Sequence, residues 1–284
     1  NLSKGPPDAR LRKDRLTRCI TLLLTHKSDF VEAMNADFGV RSKDMTTLTD
    51  IAGAINPLKS ARENLETWMK PQKRKVTPAP LALFGAKAEV RYQPKGVVGV
   101  ISPWNFPVQL SFDAIAGALA AGNRIMLKPS EFTPITSALM AQTIDLYFDE
   151  EEIAVIQGGA DVGAAFAGLP FDHLIFTGAT NVARHVMRAA AENLVPVTLE
   201  LGGKSPVVVS RSADLAKTAA RVMQGKTMNA GQICLAPDYL LAPKENLNGF
   251  VSAAKASVAK MYPTIKDNAD YTAMINQRHY DRVR

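Results

Sequence analysis

The sequence predicts a two-part α/β protein, a parallel sheet covered by helices followed by a smaller unit of the same class. Short runs rich in β-branched residues alternate with helical segments through the middle of the chain, the rhythm of strand–helix–strand units. The same rhythm restarts after Gly202 and Gly203. The composition agrees, since 284 residues with 46% apolar and 21% charged side chains can bury the cores of two domains.

From residue 8 to about 38, apolar residues such as Leu16, Ile20, Leu23, Val31 and Met34 recur at roughly helical spacing among charges. This reads as an amphipathic helix broken once. Cys19 lies inside it and is read as a packed apolar residue. A second helical region covers about 43–69. Pro71, Pro78, Pro80 and Gly85 then break the chain, and the alternating AEVRYQP run fits a hairpin over about 76–94.

Beyond the hairpin, VVGVI, RIMLKP, EIAVIQGG, HLIFTG and VPVTLEL read as strands with helices between them. Five short strands should pair in one parallel sheet, with ligands expected at their carboxyl ends. After the paired glycines come SPVVVS, a helix over about 214–228, the loop NAGQICLAP, the strand DYLLAP and another helix. The domain boundary falls here, with 1–204 as the first domain and 205–284 as the start of a second.

Several classes of function fit poorly. Two cysteines more than two hundred residues apart give neither a disulfide framework nor a zinc spacing, which suits a reducing compartment and a cytoplasmic protein. No apolar run approaches the ~20 residues of a membrane helix. The opening NLSKGPPDARLRKDRL, with its first apolar run at 22–24, lacks a signal-peptide core. The net charge of +7 and the basic cluster KPQKRK at 70–75 are read as a solvated loop, not a nucleic-acid site, because no aromatic residues interleave it.

The four histidines are scattered without metal-ligand spacing, so no metal is expected. The GxGxxG fingerprint is absent, and Gly203-Lys204-Ser205 only mimics the end of a phosphate-binding loop. What stands out is a set of polar residues where strands run out: Asn105 after VVGVISPW, Lys128 after RIML, Gly178 after HLIFT and Glu200 in VTLEL. They would converge on one sheet edge, with Cys234 facing them across an interdomain cleft. Each has a plainer reading as well: Asn105 as a turn residue, Glu200 as the ion-pair partner of a nearby lysine such as Lys204, and KPSE as a helix start capped by Ser130.

These residues stand in blocks that resemble the NAD(P)-dependent aldehyde dehydrogenases. GVISPWNFPVQLSF, LKPSEFTP, FTGAT, VTLELGGKSP and GQICLAP are similar to that family's segments in order and separation. The ISPWNFP form is most like the class 3 and coniferyl aldehyde dehydrogenase branch. The resemblance implies a variant Rossmann sheet with helices on both faces, a dinucleotide bound without the usual glycine fingerprint, and an incomplete second catalytic domain. Family members extend well past HYDRVR, into a segment whose glutamate contacts the nicotinamide ribose.

By that resemblance Cys234 is the nucleophile, Asn105 and the Cys234 backbone N–H stabilise the oxyanion, and Glu200 is the general base on water. The cofactor residues it implies are Lys128 and Glu131 at the adenosine ribose, Gly178 and a following helix N-terminus at the pyrophosphate, Gly159 and Gly163 on the adenine side, and Trp104 and Leu201 nearby. An acidic Glu131 points to NAD, with NADP possible. Ala179 stands where many relatives carry a serine. The implied reaction is oxidation of an aldehyde, such as an aromatic coniferyl-type aldehyde, to its acid by a homodimer. The other reading is a non-catalytic chain that keeps dinucleotide binding or subunit association.

Overall fold

The computed structural model describes residues 5–284; the first four residues of the opening segment, read above as carrying no export signal, lie outside them. The N-terminal helical region forms α1 (Ala9–Thr25) and α2 (Lys27–Phe38), broken once as the sequence predicts, and the structure places the break at His26. Asp8 starts α1 by accepting a hydrogen bond from the Leu11 N–H at 2.8 Å. The next region holds a short α3 (Lys43–Thr46), a π-helical turn over Thr47–Ala52 and α4 (Gly53–Trp68).

The hairpin exists but begins earlier than predicted. Its strands are β1 (Gln72–Arg74) and β2 (Ala88–Val90), paired antiparallel, with the single-turn α5 (Pro80–Leu83) between them. The basic cluster read as a loop therefore contributes a strand. Its three residues are all exposed, so no alternation of apolar and polar side chains marks it.

The central sheet holds β3 (Val97–Ile101), β4 (Arg124–Lys128), β5 (Ile153–Val155), β6 (His173–Gly178) and β7 (Val197–Leu201), all parallel in the order β5-β4-β3-β6-β7. The linking helices are α6 (Pro107–Ala120), α7 (Pro134–Tyr147), α8 (Ala160–Ala167) and α9 (Thr180–Ala191). Strand alternation divides the core between the two faces. Val98, Val100, Ile125 and Leu127 pack with α1, α4 and α6. Ile101 and Met126 instead face Phe166, Phe176 and Val186 on the side of α8 and α9.

One chain reversal and one close approach depend on glycine. Gly122, between α6 and β4, has φ +87°, and an added Cβ would lie 2.6 Å from the Arg12 guanidinium carbon that packs there. Gly99, at the middle of β3, leaves room for the Phe171 ring, which would come within 2.6 Å of a Cβ. Neither place admits alanine without moving its neighbour.

The chain builds β3, β4 and β5 outward in one direction and then returns to lay β6 on the other side of β3. That reversal makes the carboxyl ends of β3 and β6 the switch point of the sheet, the usual ligand position in such sheets. Helices α6 and α7 both begin with proline beside this edge, and the residue before each makes no side-chain cap. Distant aspartates supply the caps. Asp37 accepts from the Ile135 and Thr136 N–H groups at 2.9 and 2.8 Å, and Asp50 accepts from Val108 and Gln109, each at 3.3 Å.

After β7 the chain forms a separate two-stranded parallel sheet of β8 (Ser205–Val208) and β9 (Pro237–Leu241). It is flanked by α10 (Leu215–Thr227) and α11 (Leu247–Met261), and the short α12 (Gln277–Val283) follows. A small core of Val209, Ala219 and Phe250 lies beneath the strands. No helix among the described residues is long and apolar enough to cross a membrane.

Candidate active site

Asn105 lies in the turn between β3 and α6, at the switch point of the sheet. Its side-chain Nδ2 donates to the Gln232 carbonyl at 3.1 Å, so the amide is turned toward the loop that carries Cys234 two residues later. Its own carbonyl accepts from Arg41 Nη1 at 2.9 Å and from Asn229 Nδ2 at 3.1 Å. The predicted turn residue and the predicted cysteine loop are thus joined by two hydrogen bonds running in opposite directions.

The loop is held in an uncommon backbone state. Asn229, Ala230 and Gly231 all have positive φ, at 50°, 53° and 75°. Glycine tolerates this region and asparagine often adopts it, but alanine there is strained. Asn229 is buried, and its amide also reaches the Gln232 carbonyl at 3.3 Å. Gln232 completes the brace, donating to the Asn229 and Ala273 carbonyls and accepting from the Ile275 N–H, each at 3.0 Å. Cys234 is a free, exposed thiol at the end of this braced segment.

Behind Asn105 sits an ion pair removed from water. Arg41 Nη2 and Asp50 Oδ2 are 2.7 Å apart, with side-chain exposures of 1% and 0%. Breaking such a buried pair typically costs about 3–5 kcal/mol, whereas an exposed pair contributes about 0–1 kcal/mol. Burial pushes the Asp50 carboxyl up, opposed by the Arg41 charge and by the hydrogen bonds from Gln109, Thr49 and Val108.

Glu200 is on β7 and exposed. Its charge reaches Asp113 on α6, whose carboxyl is pushed up by desolvation first and by Glu200 second. Lys204, the alternative partner for Glu200, instead pairs with Asp238 at 2.6 Å.

Lys128 ends β4 and is buried, its ammonium hydrogen-bonded to the Pro129 carbonyl and to Glu131, each at 3.1 Å. Its aliphatic stem runs past Gly163, where an added Cβ would touch Lys128 Cε at 3.5 Å. These three residues are brought together. A cation and a carboxylate side by side at a strand's carboxyl end supply the donor and acceptor that a ribose diol requires.

Other implied cofactor residues are held by packing. Gly159 precedes α8, and Gly178 ends β6 where an added Cβ would lie 2.6 Å from the Phe176 ring. Leu201 packs against the α8–α9 core. The Trp104 ring stands between Phe38 and His279, with centroids 6.3 and 4.9 Å away.

The sequence pattern that defines the aldehyde dehydrogenase family matches residues 7–284. The chain belongs to that family. It is 65% identical over its whole length to a protein of Caulobacter vibrioides named "Probable coniferyl aldehyde dehydrogenase", of which it covers 59%. The structure of Staphylococcus aureus AldH in its substrate-bound state superposes with a TM-score of 0.93 at 37% identity, over 99% of this chain and 61% of that one. A Mycobacterium tuberculosis aldehyde dehydrogenase complexed with NAD+ gives a TM-score of 0.85 at 28% identity, over 98% and 56%. The chain therefore spans about three fifths of the length of the relatives it matches.

Within this aldehyde dehydrogenase chain, several residues at the site escape sequence reasoning. Asp50 reads as a polar position of the second helical region, and Arg41, between the two helical regions, carries no local signal. Asn229 and Gln232 stand in the quoted cysteine stretch, yet nothing local marks them as its braces. His279 reads as a histidine without a metal partner, whereas its ring lies against Trp104 and, at 6.1 Å, Phe132.

Proposed function

We propose that the protein oxidises an aldehyde to the corresponding carboxylic acid with NAD, through an acyl group carried on Cys234. The observation that carries this reading is the Asn105 amide aimed at the cysteine loop, 3.1 Å from the Gln232 carbonyl. The Cys234 thiolate adds to the aldehyde carbon, and the carbonyl oxygen becomes an oxyanion that accepts from the Asn105 amide and the Cys234 backbone N–H. NAD, when bound, supplies a hydride acceptor for the adduct. Glu200 then takes a proton from water, the resulting hydroxide adds to the thioester carbon, and the thiolate leaves.

Lys128 and Glu131 fit the cofactor's ribose, and Glu131 disfavours a 2′-phosphate, which supports NAD over NADP. The relationship to the Caulobacter protein supports an aromatic, coniferyl-type substrate. We place the dinucleotide on residues 1–204, the cysteine on the unit starting at 205, and the exposed hairpin between two copies of the chain. Both cysteines are free thiols, in keeping with a cytoplasmic enzyme.

The test uses the longest native form of the protein, mixed with NAD and a panel of aromatic and aliphatic aldehydes while NADH absorbance is followed. NADH should form with at least one aromatic aldehyde. Cys234→Ala should abolish NADH formation and acylation together, whereas Glu200→Gln should keep a first burst of NADH and lose steady turnover. No NADH with any aldehyde would overturn the assignment.

A further inference from the structure

We propose that Arg41 and Asp50 are positioning residues for the reaction: their buried ion pair fixes the backbone of Asn105 and so aims its amide at the cysteine loop. This inference rests on the aldehyde-oxidation reading above. The Arg41 guanidinium touches the Asn105 segment from several sides. Nη1 donates to the Asn105 carbonyl at 2.9 Å, and the guanidinium carbon lies 5.2 Å from the Phe106 ring centroid. It also lies 4.6 Å from the Phe38 ring, which meets Trp104 in a tilted contact at 6.3 Å. Residues 104, 105 and 106 are therefore each held by Arg41, directly or through one ring.

Asp50 fixes the other half of the turn. While Oδ2 holds Arg41, Oδ1 accepts from the Val108 and Gln109 N–H groups at the first turn of α6. One carboxylate thus joins the start of the helix to the guanidinium that grips Asn105, two residues before it. Asp50 is delivered from the π-helical turn Thr47–Ala52, and such irregularities are frequent at functional sites.

Stability alone does not call for this arrangement, because a buried ion pair is often replaceable by well-packed apolar residues without loss. The pair even leaves Arg41 Nε buried without a hydrogen-bond partner among the described residues. An oxyanion donor, however, acts only if its direction is set before charge develops. A carbonyl gripped by a charged donor sets the plane of the Asn105 backbone, which apolar packing would leave free to rock.

The test compares wild type, Arg41→Lys, Asp50→Asn and Asn105→Ala in the longest native form of the enzyme. Arg41→Lys and Asp50→Asn should each slow the NADH burst by about 10- to 100-fold, short of losing the donor outright. The aldehyde concentration that half-saturates the burst rate and the rate of Cys234 alkylation by iodoacetamide should change less than about twofold, since neither depends on the oxyanion donor. In an Asn105→Ala background, neither substitution should slow the burst further. Asp50→Asn keeps an acceptor for α6 and carries the test where Arg41→Lys loses the fold. Undiminished bursts in the variants, or losses that multiply with Asn105→Ala, overturn the inference alone. No NADH from the wild type overturns the reading beneath it and the inference with it.

Discussion

Asp113 lies about two turns beyond Asn105 on α6. Desolvation and the Glu200 charge hold its carboxyl above the ordinary value of 3.8. A carboxyl whose folded pKa is raised is penalised when ionised, so the penalty is full at neutral pH and vanishes as pH falls below 3.8. Asp113→Asn should therefore raise the melting temperature by about 1–2 °C at pH 7, a small shift because solvent screens the site. Near pH 3 the two proteins should melt together, and a lower melting temperature for the variant at pH 7 would contradict the account. The same scale shows what the sequence could name. Asn105, Lys128 and Glu131 stand in short local blocks at or just past strand ends and Cys234 in a loop after a helix, so each is singled out by its neighbours in sequence. Arg41 and Asn229 act on Asn105 from 64 and 124 residues away. Arg41 stands between α2 and α3, where no local pattern tells a buried arginine from one that faces water.

At the level of elements, the five strands were legible because each is an apolar run bounded by Gly, Pro or polar residues. The first helix was legible for its 3.6-residue spacing. The early start of the hairpin and the distant caps on α6 and α7 were not, since exposed three-residue strands carry no period and a cap from another element has no local signature. Helix α1 is fastened to the sheet by a similar long-range device. Glu152, next to β5, accepts from Arg15 Nε at 2.8 Å and from Arg18 Nη1 at 2.7 Å. Burial pushes its carboxyl up, but the hydrogen bonds and charges of Arg18 and Arg15 outweigh this and hold it down to about 2. A depressed folded pKa gives stability that is present above the ordinary 4.5 and lost as pH falls from there through about 2. Glu152→Gln should cost about 1–3 kcal/mol at pH 7, between the exposed and fully buried cases. In urea titrations the gap between variant and wild type should shrink steadily below pH 4.5 and nearly close at pH 2. A gap that stays constant over that range would remove the carboxylate from the account.

For the molecule as a whole, apolar burial is concentrated in the two cores on either face of the central sheet, and the hairpin takes no part in them. Among the described residues its strands pair only with each other, and a two-stranded hairpin is marginal in water on its own. Its connecting turn also carries Leu83 and Phe84, 87% and 88% exposed, with Leu81 beside them at 47%. An isolated exposed leucine needs no explanation, but neighbouring large apolar side chains at a projecting tip mark a surface that meets another. A second copy of the chain is the partner proposed above, and a closed two-fold pair would bury each hairpin against the other subunit. Sedimentation velocity at micromolar concentration should show a dimer for the longest native form. The combined substitution Leu83→Asp and Phe84→Asp should shift it toward monomer while leaving the melting of the central sheet nearly unchanged. Charges at the tip would oppose association without touching either core, so a wild type that sediments as a monomer, or a double variant that stays dimeric, rules the hairpin out as the contact.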